Sequence, residues 1–178
     1  MSRILVPIVV TVVIVVVAIL SGAAVQPDTF NVKRSISIKA PPEKIFPLID
    51  DFHRWAEWSP YEKLDPTVKR SLSGPTSGRG AVYEWDSNGK AGKGRMEIVD
   101  SSPPFRLTIV FDFQGPVETR NTADFTLENR GDSTVVTWLM WGPNLFISKI
   151  MSMFRTVDDR VGKDLVTGLV NLKSIAEQ

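Results

Sequence analysis

The sequence predicts an α+β domain: an antiparallel sheet of about seven strands closed by a long C-terminal helix, with an apolar helical span in front of it. Three observations carry this expectation. The chain opens with an uncharged run, ILVPIVVTVVIVVVAIL from Ile4 to Leu20. Its middle is a succession of period-two stretches divided by turn residues. Its end returns to helical spacing, with Val161, Leu165, Leu169 and Leu172 three or four apart.

The opening run continues through SGAAV to Val25. A membrane crossing needs roughly 20 mostly apolar residues, so residues 1–25 suffice. Pro7 stands near the start, where a lost hydrogen bond costs least. Arg3 followed by an apolar run and Ser21-Gly22-Ala23 also has the form of a cleaved signal. Signal cores run to about 15 residues, and this one is longer, which favours an uncleaved single-pass anchor. Positive charges after the span (Lys33, Arg34, Lys39, Lys44) place the domain in the cytoplasm. The signal-like start points to export, and the reading leans to the extracytoplasmic side.

Residues 26–29 read as a polar linker and 30–178 as one domain. Phe30, Val32, Ile36 and Ile38 alternate along a first strand, with Arg34 the exception on its apolar face. Ala40-Pro41-Pro42-Glu43 ends that strand and starts a helix whose apolar side is Ile45, Phe46, Leu48 and Ile49. A second short helix spans Phe52 to Trp58 and stops at Ser59-Pro60. Strands are expected over 67–72, 81–85, 94–99, 105–113, 117–127 and 134–141. They are separated by SGPTSGRG, Asn88-Gly89, Pro103-Pro104, Gly115-Pro116 and Asn129-Arg130-Gly131-Asp132. Tight turns between successive strands mean an antiparallel meander. Beyond Gly142-Pro143, Phe146, Ile150 and Phe154 recur four apart and open the terminal helix, in which Gly162 and Gly168 either weaken the helix or admit close packing.

Composition excludes several functions. The chain has 178 residues, 21 basic and 20 acidic, for a net charge of +1, with no block of like charge. Nucleic-acid binding relies on clustered Lys and Arg, so no nucleic-acid partner is expected. The absence of cysteine removes disulfides, thiolate nucleophiles and cysteine-based zinc sites. One histidine without a second ligand motif points to no metal, and no cofactor is expected. GKAGKGR at 89–95 lacks the order of a phosphate-binding loop and reads as a hairpin with solvated lysines.

Three stretches carry a family resemblance: SISIKAPPEKIFPLIDDFHRWAEWSP at 35–60, VVTWLMWG at 135–142, and VGKDLVTGLVNLKSIAE at 161–177. The first resembles the opening of the START and polyketide cyclase-like (SRPBCC) superfamily: a strand, A-P-x-x-x-V/I-F, a helix, then F-x-x-W-x-x-W-S-P. The last resembles the terminal helix of its small bacterial members, several of which carry an N-terminal hydrophobic span. The resemblance implies a helix-grip fold, a curved sheet wrapped around the terminal helix, with a cavity between them for a hydrophobic ligand. It implies no catalytic triad, because the fold hosts carriers, cyclases, receptors and co-chaperones alike.

The candidate cavity-lining residues are therefore aromatic: Trp58 at a helix end, Trp85, Phe111, Phe125 and Trp138 in strands, and Phe154 in the terminal helix. Tyr83, Arg95 and Asn121 are the polar groups available to orient a ligand. His53, close to Asp50, Asp51 and Glu57, reads as a surface pair with Glu57, one helical turn away, rather than as a catalyst. LFISKIMSMFR at 145–155 reads as the pocket-side face of the terminal helix, with a membrane-surface helix as the alternative. The leading function is a membrane-tethered, non-catalytic binding module for a hydrophobic or lipid-like molecule. The alternatives are a cyclase- or hydrolase-type enzyme using Tyr83, Arg95 or His53, and a ligand-free regulator that binds a protein partner. An uncleaved anchor predicts that full-length protein stays with membranes through an alkaline carbonate wash; release, or a mature N-terminus near Ala24, contradicts it.

Overall fold

A computed structural model of the chain describes residues 2–63, 65–87, 92–115, 118–152 and 156–178. Helix α1 (Ser2–Ala24) precedes strand β1 (Thr29–Ile38), which is followed by helix α2 (Pro42–Asp50). A 3-10 turn (Phe52–Arg54) leads into the single-turn helix α3 (Trp55–Trp58), and a second one (Pro60–Lys63) follows. Six strands come next: β2 (Lys69–Ser73), β3 (Val82–Asp86), β4 (Lys93–Ser102), β5 (Arg106–Gln114), β6 (Thr119–Asn129) and β7 (Thr134–Pro143). Helices α4 (Phe146–Ser152) and α5 (Val157–Ala176) end the chain.

The strands form one seven-stranded antiparallel sheet in the order β1-β7-β6-β5-β4-β3-β2. Strands β2 to β7 are the expected meander, and β1 joins it by pairing along β7 from Thr29–Pro143 to Ile38–Thr134. Alternation selects the face that meets α5. Leu107, Ile109 and Phe111 of β5, Ala123, Phe125 and Leu127 of β6, and Val136, Trp138 and Met140 of β7 are buried. This is the helix-grip arrangement. The Asn88-Gly89 turn lies outside the described residues.

Helix α5 lies on this face with Leu165, Leu169 and Leu172 buried. Gly168 permits the approach: a Cβ there would stand 2.8 Å from the Trp138 ring and 3.2 Å from Pro60. Gly162 serves the other end, where the Arg34 guanidinium occupies the space of a Cβ. Arg34, the polar exception on β1, thus reaches across α5 to Asp158 at 2.7 Å. Both glycines serve close packing. At the opposite end Lys173 Nζ donates to the Ser37 carbonyl at 2.7 Å, so β1 holds both ends of the helix.

The terminal helix is two helices. Thr156 and Asp159 form a reciprocal capping box that starts α5 afresh. In α4, Phe146, Ile147 and Met151 are exposed and Ile150 is half-buried, so most of its apolar side chains do not pack on the sheet as expected. It packs instead against α1. Lys149, itself buried, pairs with Asp28 at 2.6 Å, and Asn144 Nδ2 donates to the Pro27 carbonyl, tying α4 to the linker after α1. Within α1, Val6–Ala24 is long and apolar enough to cross a membrane, and almost none of it is buried.

Two substitutions test the seating of α5. Leu169→Ala removes a fully packed side chain and is expected to cost about 2–5 kcal/mol. Gly168→Val forces branched atoms into Trp138 and is expected to cost about 1–3 kcal/mol, despite the gain in helix propensity. Unchanged denaturation midpoints in both would mean that α5 does not grip the sheet through this face.

Candidate functional site

The segment that holds the only histidine folds around its two tryptophans. α2 ends at Asp50, leaving carbonyls of its last turn without partners. The Trp55 indole donates to the Ile49 carbonyl at 2.9 Å and the Trp58 indole to the Leu48 carbonyl at 2.7 Å. Spacing the two tryptophans three residues apart on one short helix lets both rings reach back to α2. Asn171 of α5 in turn donates to the Trp58 carbonyl at 3.0 Å. The tryptophans are therefore helix caps as well as packing groups.

Beneath them the rings form one cluster. Trp58 meets Trp55 at a centroid distance of 4.9 Å, Trp138 at 5.7 Å and Phe125 at 6.2 Å, while Phe125 stacks on Trp138 at 4.8 Å. Trp58, Phe125 and Trp138 are at most 1% exposed. They fill the space between sheet and helix, where the sequence reading expected them to line a cavity. The physical reason is their position: Trp58 and Trp138 lie directly under Gly168, and Phe125 packs against both rings.

Toward the N-terminal end of α5 the space opens into a cavity of about 330 Å³. That is at the lower end of the range for small-molecule sites. Its sheet wall is apolar, with Trp85, Met96, Phe111, Phe113 and Met140; Val161 and Asp164 of α5 close it, and Trp55 and Tyr61 border the aromatic cluster. Trp85 packs edge-on to Phe113 at 5.5 Å, and Phe113 stacks on Phe111 at 6.4 Å. Tyr83, Trp85, Phe111 and Asn121 of the candidate set thus meet at one cavity.

Arg95 does not. On β4 the inward residues are Gly94, Met96 and Ile98; Arg95 stands opposite Glu84 on the outer face and pairs with Glu97 at 2.7 Å. His53 is also elsewhere, exposed and bonded through Nδ1 to Asp51 at 2.7 Å. Its expected partner, Glu57, is bound instead by Arg54 at 2.8 Å. Phe154 lies outside the described residues. The sequence reading missed Trp55, Met96, Phe113 and Met140 as wall residues. For Phe113 and Met140, the alternation that marks Phe111 and Trp138 on the same strands is signal enough.

Polar groups occupy two places on the cavity wall. Glu62, Arg70 and Tyr83 form a closed cluster: the Tyr83 hydroxyl donates to Glu62 at 2.6 Å, and Arg70 Nε donates to Tyr83 at 2.9 Å and reaches Glu62 at 2.7 Å. Burial, then the hydrogen bond to Glu62, raises the Tyr83 phenol above its ordinary range. At the α5 end, burial raises the Asp164 carboxyl and, with Asp164 beside it, the Tyr61 phenol. Among the described residues no group of three metal-ligating side chains occurs.

This division between filled and open ends separates two tryptophans experimentally. Trp58→Ala empties a packed site and removes a cap, with an expected cost of about 3–5 kcal/mol. Trp85→Ala, at the half-exposed cavity wall, is expected to leave the protein folded with a smaller loss in the denaturation midpoint. The reverse ranking would place the open space around Trp58.

Comparison with known proteins agrees with the architecture. No curated protein matches the chain in sequence. Ginseng (Panax ginseng) major latex-like protein 151 superposes with a TM-score of 0.61 at 14% identity, covering 85% of this chain and 100% of its own. The di-domain ARO/CYC protein BexL of the BE-7585A biosynthetic pathway gives 0.56 at 19% identity, covering 89% of this chain and 53% of its own. The Aha1 dimer of Colwellia psychrerythraea gives 0.53 at 20% identity, covering 83% and 96%. At such identities these likenesses establish the fold alone. The sequence model of one family matches residues 29–177, from the first residue of β1 to the end of α5, and on that match the chain belongs to the polyketide cyclase / dehydrase and lipid transport family.

Proposed function

We propose that the chain is a membrane-tethered binding module that takes up a hydrophobic or lipid-like small molecule between the sheet and α5. The observation that carries this reading is the apolar cavity of about 330 Å³, which the protein's own aromatic residues leave open while filling the space beside it. Apolar pockets of this kind bind by excluding water from ligand and wall together. Membership in a family described by lipid transport, among other activities, supports it.

Two helices support the tether. α1 exposes an apolar surface along almost its whole length, and α4 beside it exposes Phe146, Ile147 and Met151. An apolar face that adjoins a membrane-spanning helix is suited to the lipid interface. On this reading α4 lies on the bilayer and holds the domain against it.

A second reading, a cyclase-type enzyme, is favoured by one observation: Tyr83, Glu62 and Asp164 are titratable groups on the same cavity. Two features weigh against it. Tyr83, Glu62 and Arg70 already satisfy one another, and His53 stands away from the cavity.

Native mass spectrometry of the full chain in mild detergent tests the binding reading. Wild-type protein is expected to carry a hydrophobic adduct. Met96→Trp, which fills the cavity from its floor, is expected to lose it while keeping its fold. Wild-type protein without an adduct even after incubation with lipid extract, or an adduct retained in the filled variant, contradicts the proposal.

A further inference from the structure

The cavity has a polar annex. A second hollow of about 250 Å³ adjoins it and shares Phe30, Asn121, Arg160 and Val161 with its wall. The rest of the annex comes from Thr119 at the start of β6, Pro143 and Asn144 at and after the end of β7, Ser148 of α4 and Val157 in the first turn of α5. Among the described residues that line it, Arg160 alone is charged; Asn121, Asn144, Ser148 and Thr119 are neutral and polar.

Among the described residues Arg160 has no ion-pair partner. Its Nε is buried without a hydrogen-bond partner. The two acids at the start of the same helix are already engaged, Asp158 by Arg34 and Asp159 by Thr156. Asp164, one turn further along α5, shares the main cavity with Arg160 but not the annex, and among the described residues no ion pair joins the two. A guanidinium partly withdrawn from water with no anion beside it is unfavourable, and its flat array of N–H donors matches a carboxylate or phosphate.

We infer that cavity and annex form one site for an anionic amphiphile, with its apolar chain in the cavity and its carboxylate or phosphate head on Arg160. The Asn121 carboxamide and the Ser148 hydroxyl are placed to add neutral hydrogen bonds to the same head. The inference rests on the cavity being a hydrophobic-ligand site, and it names the charge of that ligand. It also accounts for the annex beside α4: on the membrane-tethered reading, the head group lies on the side from which a lipid would enter.

Titration calorimetry of the full chain held in amphipol tests this with four ligands: decanoate, decyl phosphate, decanol and inorganic phosphate. Decanoate and decyl phosphate are expected to bind about tenfold or more tighter than decanol, about 1.4 kcal/mol for each factor of ten. Inorganic phosphate alone is expected to bind far more weakly than decyl phosphate. Arg160→Gln should erase the preference for the charged heads and leave decanol unchanged; Arg160→Lys should retain part of it. Thermal unfolding of each variant shows that the fold persists. If decanol binds as well as decanoate, or the preference survives Arg160→Gln, the head-group inference fails and the apolar site stands. If inorganic phosphate matches decyl phosphate, the annex is a small-anion site and the amphiphile is excluded. If neither decanoate nor decanol binds, the inference falls together with the reading it rests on.

Discussion

The close seating of α5 on Trp138, at the one point where Gly168 leaves room for it, is the contact on which the rest of the structure depends. A side chain at 168 would lift the helix from the sheet. With the helix down, Trp58, Phe125 and Trp138 are enclosed, and Trp55 and Trp58 are held where their indoles reach the carbonyls that end α2. One approach therefore fixes helix, sheet and the α2–α3 corner together. Close-packed interiors transmit such constraints because they contain few voids to absorb a shift.

The same contact decides where the protein is empty. Around Gly168 the Trp138 and Trp58 rings fill the space beneath α5. Beside Arg160, Val161 and Asp164 the wall residues Phe30, Met96, Phe111 and Met140 leave the cavity open. Its polar groups divide accordingly. The Glu62–Arg70–Tyr83 cluster satisfies itself and reads as part of the scaffold, whereas Arg160 and Asp164 line the open space and, among the described residues, the Arg160 Nε has no hydrogen-bond partner.

Much of this was legible in the chain. Alternation over 105–113 and 134–141 marked the inward faces of β5 and β7, and the spacing of Leu165, Leu169 and Leu172 marked the buried side of α5. Depth along the sheet was not legible. Period two separates inside from outside, but it does not separate the filled end from the open one, so Trp58 and Trp138 were grouped with Trp85 and Phe111. Arg95 was misassigned because its inward neighbour Gly94 has no side chain to mark the phase, which the pairing of Tyr83 with Met96 establishes. The break before α5 had a signal, Thr156 followed by Asp159, that the four-residue recurrence of Phe146, Ile150 and Phe154 obscured. Arg34 found its partner far along the chain, in Asp158, beyond the reach of any local pattern.

The central claim is that the enclosed space lies on the Trp85–Met140 side of the aromatic cluster and takes up an apolar chain. Photolabelling with an aliphatic diazirine, followed by peptide mapping, tests it most directly, because the carbene inserts where the chain rests. The account predicts adducts on strand residues of the cavity, Trp85, Met96, Phe111, Phe113 or Met140, that unlabelled fatty acid competes away. Labelling confined to α1 and α4, or adducts at Phe125 and Trp138 with the cavity strands unmodified, would contradict it.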